Sequence, residues 1–279
     1  MKINSIVNVL CSAVFCPILL ILLPVCLTGF GLPVSVMAAD FEKDTLNTSM
    51  GDLTITFIGH GTVMLQVGDL TVHVDPWSKL ADYRTLPPAD LILVTHHHGD
   101  HLDLNAIEAL YKRSKVISQM VSTVVVMPEK CAQTLLEKVA AENRLPNSLY
   151  ADNGFVKNIM GITIEAVPAY NMVNKRPDGN FYHLRGEGNG YILTIGNRRI
   201  YIAGDTEDIP EMAEFADIYC AFLPMNLPYT MTPEMAARAA GTIKPKILYP
   251  YHFGETDTQK LVELLKEEKG IEVRLRKMK

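Results

Sequence analysis

Short apolar runs and period-two alternation dominate the chain from residue 51 onward, and they predict strands before they predict helices. Strands are expected over 53–58, 63–67 and 70–74, the last two joined by Gly68-Asp69 as a hairpin turn. A strand over 89–95 leads into a helix over 103–113, whose apolar residues Leu104, Ile107, Leu110 and Tyr111 share a face. The run 123–127 reads as a strand, and Pro128-Glu129 opens a helix reaching about residue 142. Strands resume over 162–167, 191–195 and 199–203, the latter pair turning across Gly196-Asn197. The last third alternates: helix 209–214, strand 218–222, helix 233–240, strand 246–249, helix 258–269 and strand 271–275. Two strand-rich blocks, each followed by helices, bury their apolar faces most simply as two packed sheets with helices on the outer faces. No low-complexity linker interrupts 50–279, so a single α/β domain is expected over 51–279, preceded by a short lead-in at 40–50. Residues 170–189 form the one long irregular stretch, and such loops more often serve function than packing.

The first 39 residues follow a different pattern. No charged residue occurs between Lys2 and Asp40, the apolar stretch 14–27 is interrupted by Pro17 and Pro24, and a breaker-rich tail ends in Val36-Met37-Ala38-Ala39. This fits an export signal cleaved after Ala38 or Ala39. An uncleaved membrane anchor is the alternative, because the uncharged run is as long as the roughly 20 apolar residues that span a bilayer. Cys26 does not read as a lipidation site, since the bulky Val25 precedes it. The expected location is therefore periplasmic, secreted or surface, or membrane-anchored through residues 1–39. A net charge of −5 gives no electrostatic reason to expect nucleic-acid binding. Three of the five cysteines lie in the leader; Cys131 and Cys220 remain, so no disulfide framework is visible, although one bond between them stays open in an oxidising compartment.

Candidate chemistry concentrates in His96-His97-His98-Gly99-Asp100-His101, directly after the apolar run 91–94. Imidazole and carboxylate suit zinc, manganese or iron without any thiol, and this loop holds enough of both for two ions. In extended backbone His96, His98 and Asp100 would point to one side, leaving His101 to turn toward a second ion. Two later segments repeat the construction of apolar strand, sharp turn and metal-competent residue: Gly204-Asp205-Thr206 and Pro250-Tyr251-His252. A carboxylate can bridge two cations, and an imidazole can complete the second ion's set.

The series His96-x-His98-x-Asp100-His101, Gly204-Asp205-Thr206 and Pro250-Tyr251-His252 resembles the metallo-β-lactamase superfamily in order and separation over nearly all of residues 52–275. Gly59-His60-Gly61-Thr62 and Val74-Asp75-Pro76-Trp77 are similar to the branch of metal-dependent hydrolases related to the ascorbate-phosphate lactonases. The resemblance implies an αββα sandwich with metals at one edge between the sheets. It implies that His96 and His98 bind the first metal, that Asp100, His101 and His252 bind the second, and that Asp205 bridges. Asp75 would support the site by orienting a ligating imidazole. One departure stands out: the family's third His for the first metal follows the strand at 162–167, where this chain has Pro168-Ala169-Tyr170-Asn171. Either Asn171 donates a weak oxygen, or His183 reaches in from the long loop, or the first metal is under-coordinated. We read His183 as the ligand.

Two divalent ions sharing a water, zinc foremost, lower its pKa toward ~7 and make hydroxide available at neutral pH. Asp100 would ligate and orient that hydroxide, and the metals would polarise the substrate oxygen. His60 is the candidate proton donor or substrate contact, with a plain turn residue as the alternative. Lys175, Arg176 and Arg185 on the long loop would favour a small anionic substrate, Asn171 is a further candidate substrate contact, and Tyr229 would line a pocket wall. The leading expectation is a metal-dependent hydrolase of esters, lactones or phosphodiesters. Its alternatives are a single-iron oxidoreductase of the same fold and a non-catalytic metal-binding protein. Related diiron oxygen-reducing enzymes usually carry Glu at the position of His98, which favours hydrolysis.

Overall fold

The apolar runs sort into two sheets in which neighbours along the chain are neighbours in space. The computed structural model describes residues 40–111, 123–138, 145 and 147–278. The first sheet comprises β1 (Glu42–Thr48), β2 (Gly51–Gly59), β3 (Thr62–Val67), β4 (Leu70–Val74), β5 (Leu91–Leu93), β6 (Val124–Met127) and β7 (Ser148–Tyr150) in that order. The second comprises β8 (Val156–Ile159), β9 (Ile162–Ala169), β10 (Gly188–Ile195), β11 (Arg198–Ile202), β12 (Ile218–Pro224), β13 (Ile247–Tyr251) and β14 (Glu272–Val273). Both sheets follow one plan. Four strands pair antiparallel, as short hairpins allow, and the remaining strands run parallel. Parallel pairing needs longer crossovers, and these hold the helices. In the first sheet the crossovers carry α1 (Leu104–Leu110) and α2 (Glu129–Lys138). In the second they carry a 3₁₀ turn (Pro210–Glu214), α3 (Pro233–Ile243) and α4 (Thr258–Leu265).

Side-chain alternation builds the layers. In β5, Leu91 and Leu93 enter the core between the sheets while Ile92 faces Ile107 and Leu110 of α1. In β12, Cys220 and Phe222 point inward, and Ala221 and Leu223 pack beneath α3 and α4. Apolar runs without polar alternation, such as 91–94, thus mark strands covered on both faces. The result is the expected αββα sandwich, two mixed sheets with helices outside.

Several expectations change. Residues 40–50, read as a lead-in, hold β1, an edge strand paired to β2 from Glu42↔Phe57 to Thr48↔Gly51. Its side chains are mostly polar, the usual composition of a protected edge. Its Asp44 accepts hydrogen bonds from Tyr249, Arg274 and Arg276, which ties the C-terminal segment to the edge. The short edge strands β7 and β8 show no apolar signature. The element expected over 209–214 is a 3₁₀ turn opened by Pro210, α4 stops at Leu265, and the last strand has two residues. Cys131 and Cys220 are free and buried in different core layers, so they form no disulfide. The leader at 1–39 and the helix extensions over 112–113 and 139–142 lie outside the described residues.

Candidate metal centre

The parallel strands end on one edge of the sandwich, and every candidate ligand but one leaves from such an end. β5 hands over to 94–95, where the Thr95 N–H leaves the ladder and donates to Asp75 Oδ1 at 2.7 Å. The chain then turns, with the N–H groups of His101 and Leu102 both donating to the His98 carbonyl at 3.0 and 2.8 Å. This turn overrides the expected alternation. Asp100 does not share a side with His96 and His98; it swings over to join His101. β11 ends at Ile202, just before Gly204-Asp205, and β13 ends immediately before His252. His183 is the exception and comes from the long loop between β9 and β10.

Two clusters result. In the first, His96 Nε2 lies 3.0 Å from His98 Nδ1, and His183 Nε2 lies 3.2 Å from Asp205 Oδ2, which is also 3.9 Å from His96 Nε2. In the second, His101 Nε2 and His252 Nε2 are 3.2 Å apart, and each is 3.7 Å from Asp100 Oδ2. Asp205 Oδ1 faces the same two nitrogens at 3.6 and 3.5 Å. One carboxylate therefore presents one oxygen to each cluster.

The donor set fits metal ions. The edge of a tetrahedron of nitrogen and oxygen ligands around zinc is about 3.3 Å, close to these separations. Asp205 is buried, and its Oδ1 has no hydrogen-bond partner, which leaves a desolvated oxygen that a cation would satisfy. His101 Nδ1 meets Asp75 Oδ2 at 2.7 Å, so in the neutral ring Nε2 is a bare lone pair aimed at His252 Nε2. Lone pairs this close repel unless a cation or proton stands between them. Burial opposes charge on His101, but the carboxylates of Asp205, Asp75 and Asp100 outweigh it and push the imidazole up to about 10. His98 is pushed down to about 4 by burial and by the neighbouring imidazoles, and His96 falls well below its ordinary value for the same reasons. The Asp205 carboxyl is held well below the usual range: burial works against ionisation, and the His252, His101 and His183 rings overcome it.

Polar groups stand behind the clusters and hold their rings in place. Asp75 is fully buried and also accepts from Thr95 Oγ1 at 2.6 Å. Asn226, not singled out from sequence, places its amide 3.2 Å from His252 Nδ1. Asn171 places Oδ1 2.8 Å from His183 Nδ1, so it supports the imidazole. Expected as a candidate substrate contact, it is not among the residues that wall the cavity above the two clusters. His60 lies with Asp100 and His252: its Nε2 is 3.1 Å from Asp100 Oδ2, and its ring packs 3.7 Å from that of His252. Burial lowers its basicity, with the Asp100 contact opposing. Trp77 covers its other side at 4.9 Å between ring centroids.

A cavity of about 700 Å³ opens over both clusters, walled by His98, Asp100, Asp205 and His252 and by Arg176, Tyr182 and Tyr229. Lys175 and Arg185, expected to favour an anionic substrate, do not line it. The Lys175 ammonium sits over the Phe181 ring at 4.7 Å, and Arg185 is paired with Glu211 at 2.6 Å. Arg176 does line it, with Nη2 3.4 Å from His98 Nε2 and 3.1 Å from the Tyr182 carbonyl. Tyr182 packs edge-on against Tyr229 at 4.9 Å and was not legible as a wall residue.

With this geometry in hand, known proteins supply the context. Residues 54–252 match the family described as the Beta-lactamase superfamily domain. A candidate metal-dependent hydrolase from Parabacteroides distasonis, known from its crystal structure, is 45% identical, with a TM-score of 0.74 over 86% of this chain and 100% of that one. A metal-dependent hydrolase of Pyrobaculum islandicum is 30% identical over 72% of this chain and 84% of its own length. Another, from Thermus thermophilus, is 32% identical over 71% and 83% respectively.

Proposed function

Because the chain belongs to the β-lactamase superfamily and is a metal-dependent hydrolase of that fold, we propose that it cleaves an ester, lactone or phosphodiester bond in a small anionic substrate. One observation carries this reading: a buried carboxylate divides its two oxygens between two clusters on the floor of an open cavity. His96, His98 and His183 would hold one divalent ion, Asp100, His101 and His252 the other, and Asp205 would join them. When bound, such ions supply Lewis acidity and a water ionised at neutral pH, which makes a protein nucleophile unnecessary. The similarity of the Gly59–Thr62 and Val74–Trp77 segments to the lactonase-related branch supports including cyclic esters.

The chain's own groups supply orientation and recognition. Against its burial, the His252 and His60 imidazoles hold the Asp100 carboxyl below its usual range, and the His60 contact at 3.1 Å fixes the direction of its carboxylate. His98 turns Nδ1 inward, so in the ligating tautomer its proton sits on Nε2, beside the Arg176 guanidinium. These two donors on one cavity wall suit an oxyanion of the substrate. Tyr182 and Tyr229 add an aromatic face, with the Arg176 guanidinium 5.8 Å from the Tyr182 ring.

Metal analysis of the full chain, purified without chelator or affinity tag, tests the reading. Two equivalents of zinc or manganese per chain are expected, together with hydrolysis of phosphodiester or lactone probes. Asp205→Ala should retain the fold and lose turnover by more than the roughly 10–100-fold typical of a supporting residue. One equivalent of iron would replace hydrolysis with oxygen or sulfur chemistry, and no bound metal would overturn both. We further propose that the chain is exported, so that the mature N-terminus is Ala39 or Asp40; an N-terminal mass that begins at Met1 would refute cleavage.

A further inference from the structure

A metal ligand on an irregular loop needs a support that strand ends otherwise provide, and His183 has one. We propose that Glu207 is the positioning residue for the first metal ion, holding the His183 imidazole in place through Asn171. The proposal rests on the two-metal reading above. Glu207 is fully buried, and its carboxylate oxygens are saturated by four donors from the His183 loop. Oε1 accepts from Asn171 Nδ2 at 3.0 Å and Asn174 N at 2.7 Å, and Oε2 accepts from Met172 N and Val173 N at 2.7 Å each. Three consecutive backbone N–H groups and one amide thus wrap a single anion, as in an anion-binding nest. Thr206 adds to the same clasp, its Oγ1 exchanging hydrogen bonds with the backbone of Tyr170 at 3.1 Å.

The clasp also sets a proton. Asn171 Nδ2 has two acceptors, Glu207 Oε1 and the Tyr229 carbonyl at 2.9 Å, so the amide cannot flip. Its Oδ1 must then accept, and it does so twice, from His183 N and His183 Nδ1, both at 2.8 Å. A proton on Nδ1 leaves Nε2 as a bare lone pair aimed toward Asp205 Oδ2. Glu207 and Asp205 stand two residues apart after β11. One short turn therefore carries the bridging carboxylate and the anchor that aims the His183 ring. Gln at 207 would set an NH₂ group against backbone N–H donors, so this near-isosteric change removes the clasp.

Zinc titration of the full chain against a competing chelator tests the assignment, with wild type, Glu207→Gln, His183→Ala and the double variant compared. Expected is one ion held as in wild type and the other weakened about 10–100-fold in Glu207→Gln. The double variant should be no weaker than His183→Ala, because the two residues act through one contact. Unchanged affinity at both sites in folded Glu207→Gln, or additive losses in the double variant, would overturn the proposal. Should Glu207→Gln fail to fold, Asn171→Ala leaves the carboxylate and its three backbone donors in place. Unchanged affinity at the first site in that variant overturns the proposal equally. A wild-type chain that binds fewer than two ions refutes the two-metal reading itself and takes this assignment with it.

Discussion

Three non-glycine residues around the centre adopt left-handed backbone: His60 at φ 51°, Asp75 at φ 45° and His252 at φ 45°. Such conformations cost about 1–2 kcal/mol for an L-residue and persist where surrounding contacts over-determine them. Here those contacts are explicit. The His252 N–H donates to the His60 carbonyl at 2.9 Å, and the Asp75 N–H donates to the Leu93 carbonyl at 2.9 Å. These positions set His60 against Asp100, Asp75 behind the His101 ring and His252 in front of it. Asp75→Asn should weaken one of the two metal ions by about 10–100-fold in a chelator competition, because an amide has one accepting oxygen and cannot serve both the Thr95 N–H and the His101 Nδ1–H. A second residue-scale expectation concerns His73, buried in β4 with Nε2 3.0 Å from the Pro87 carbonyl. Burial pushes it down to about 4, against its ordinary 6.5. The unfolded chain therefore takes up a proton that the folded chain refuses. Its contribution to stability is complete above about pH 6.5, is lost as pH falls toward about 4, and is level below that, with a slope of at most about 1.4 kcal/mol per pH unit. His73→Gln should flatten that limb in urea melts across this range.

At the scale of elements, the ends of strands matter more than their middles. Gly204 links β11 to Asp205 at φ +64°, and a Cβ there would lie 2.6 Å from the Asn189 carbonyl oxygen and 3.0 Å from Thr95 Cβ. Neither neighbour can yield without moving the backbone beside His96. Gly204→Ala should destabilise the fold by at least the roughly 1–2 kcal/mol of a left-handed L-residue and weaken metal binding too, both visible in thermal melts with and without zinc. The interior strands of both sheets were legible because burial on two faces demands continuous apolar runs. β1, β7 and β8 were not, since an edge strand needs partners more than apolar side chains. The turn after His98 was equally hidden: period-two reasoning assumes extended backbone, and a carbonyl that accepts from both His101 and Leu102 ends that regime.

At the scale of the whole molecule, the sandwich gathers the buried side chains His96, His101, Asp205 and His252 at one edge, where imidazoles and carboxylates crowd one another. Removing the ions should expose this crowding. Dialysis against a chelator is expected to abolish activity and lower the melting temperature by roughly 5–10 °C, with zinc restoring both, since a ligand bound only by the folded state stabilises it by mass action. No change on chelation would contradict the two-metal reading. The sequence alone determined the layer order and the ligand inventory at 96–101, 205 and 252. Strand periodicity and the ligating chemistry of imidazole and carboxylate are local properties, written in adjacent residues. The resemblance already implied which donor joins which cluster; only the tertiary structure decided that Asn171 supports His183 and that Arg176, and neither Lys175 nor Arg185, faces the cavity. Those outcomes depend on hydrogen bonds between residues far apart in the chain, such as Glu207 with the 171–174 loop, and no local pattern encodes them.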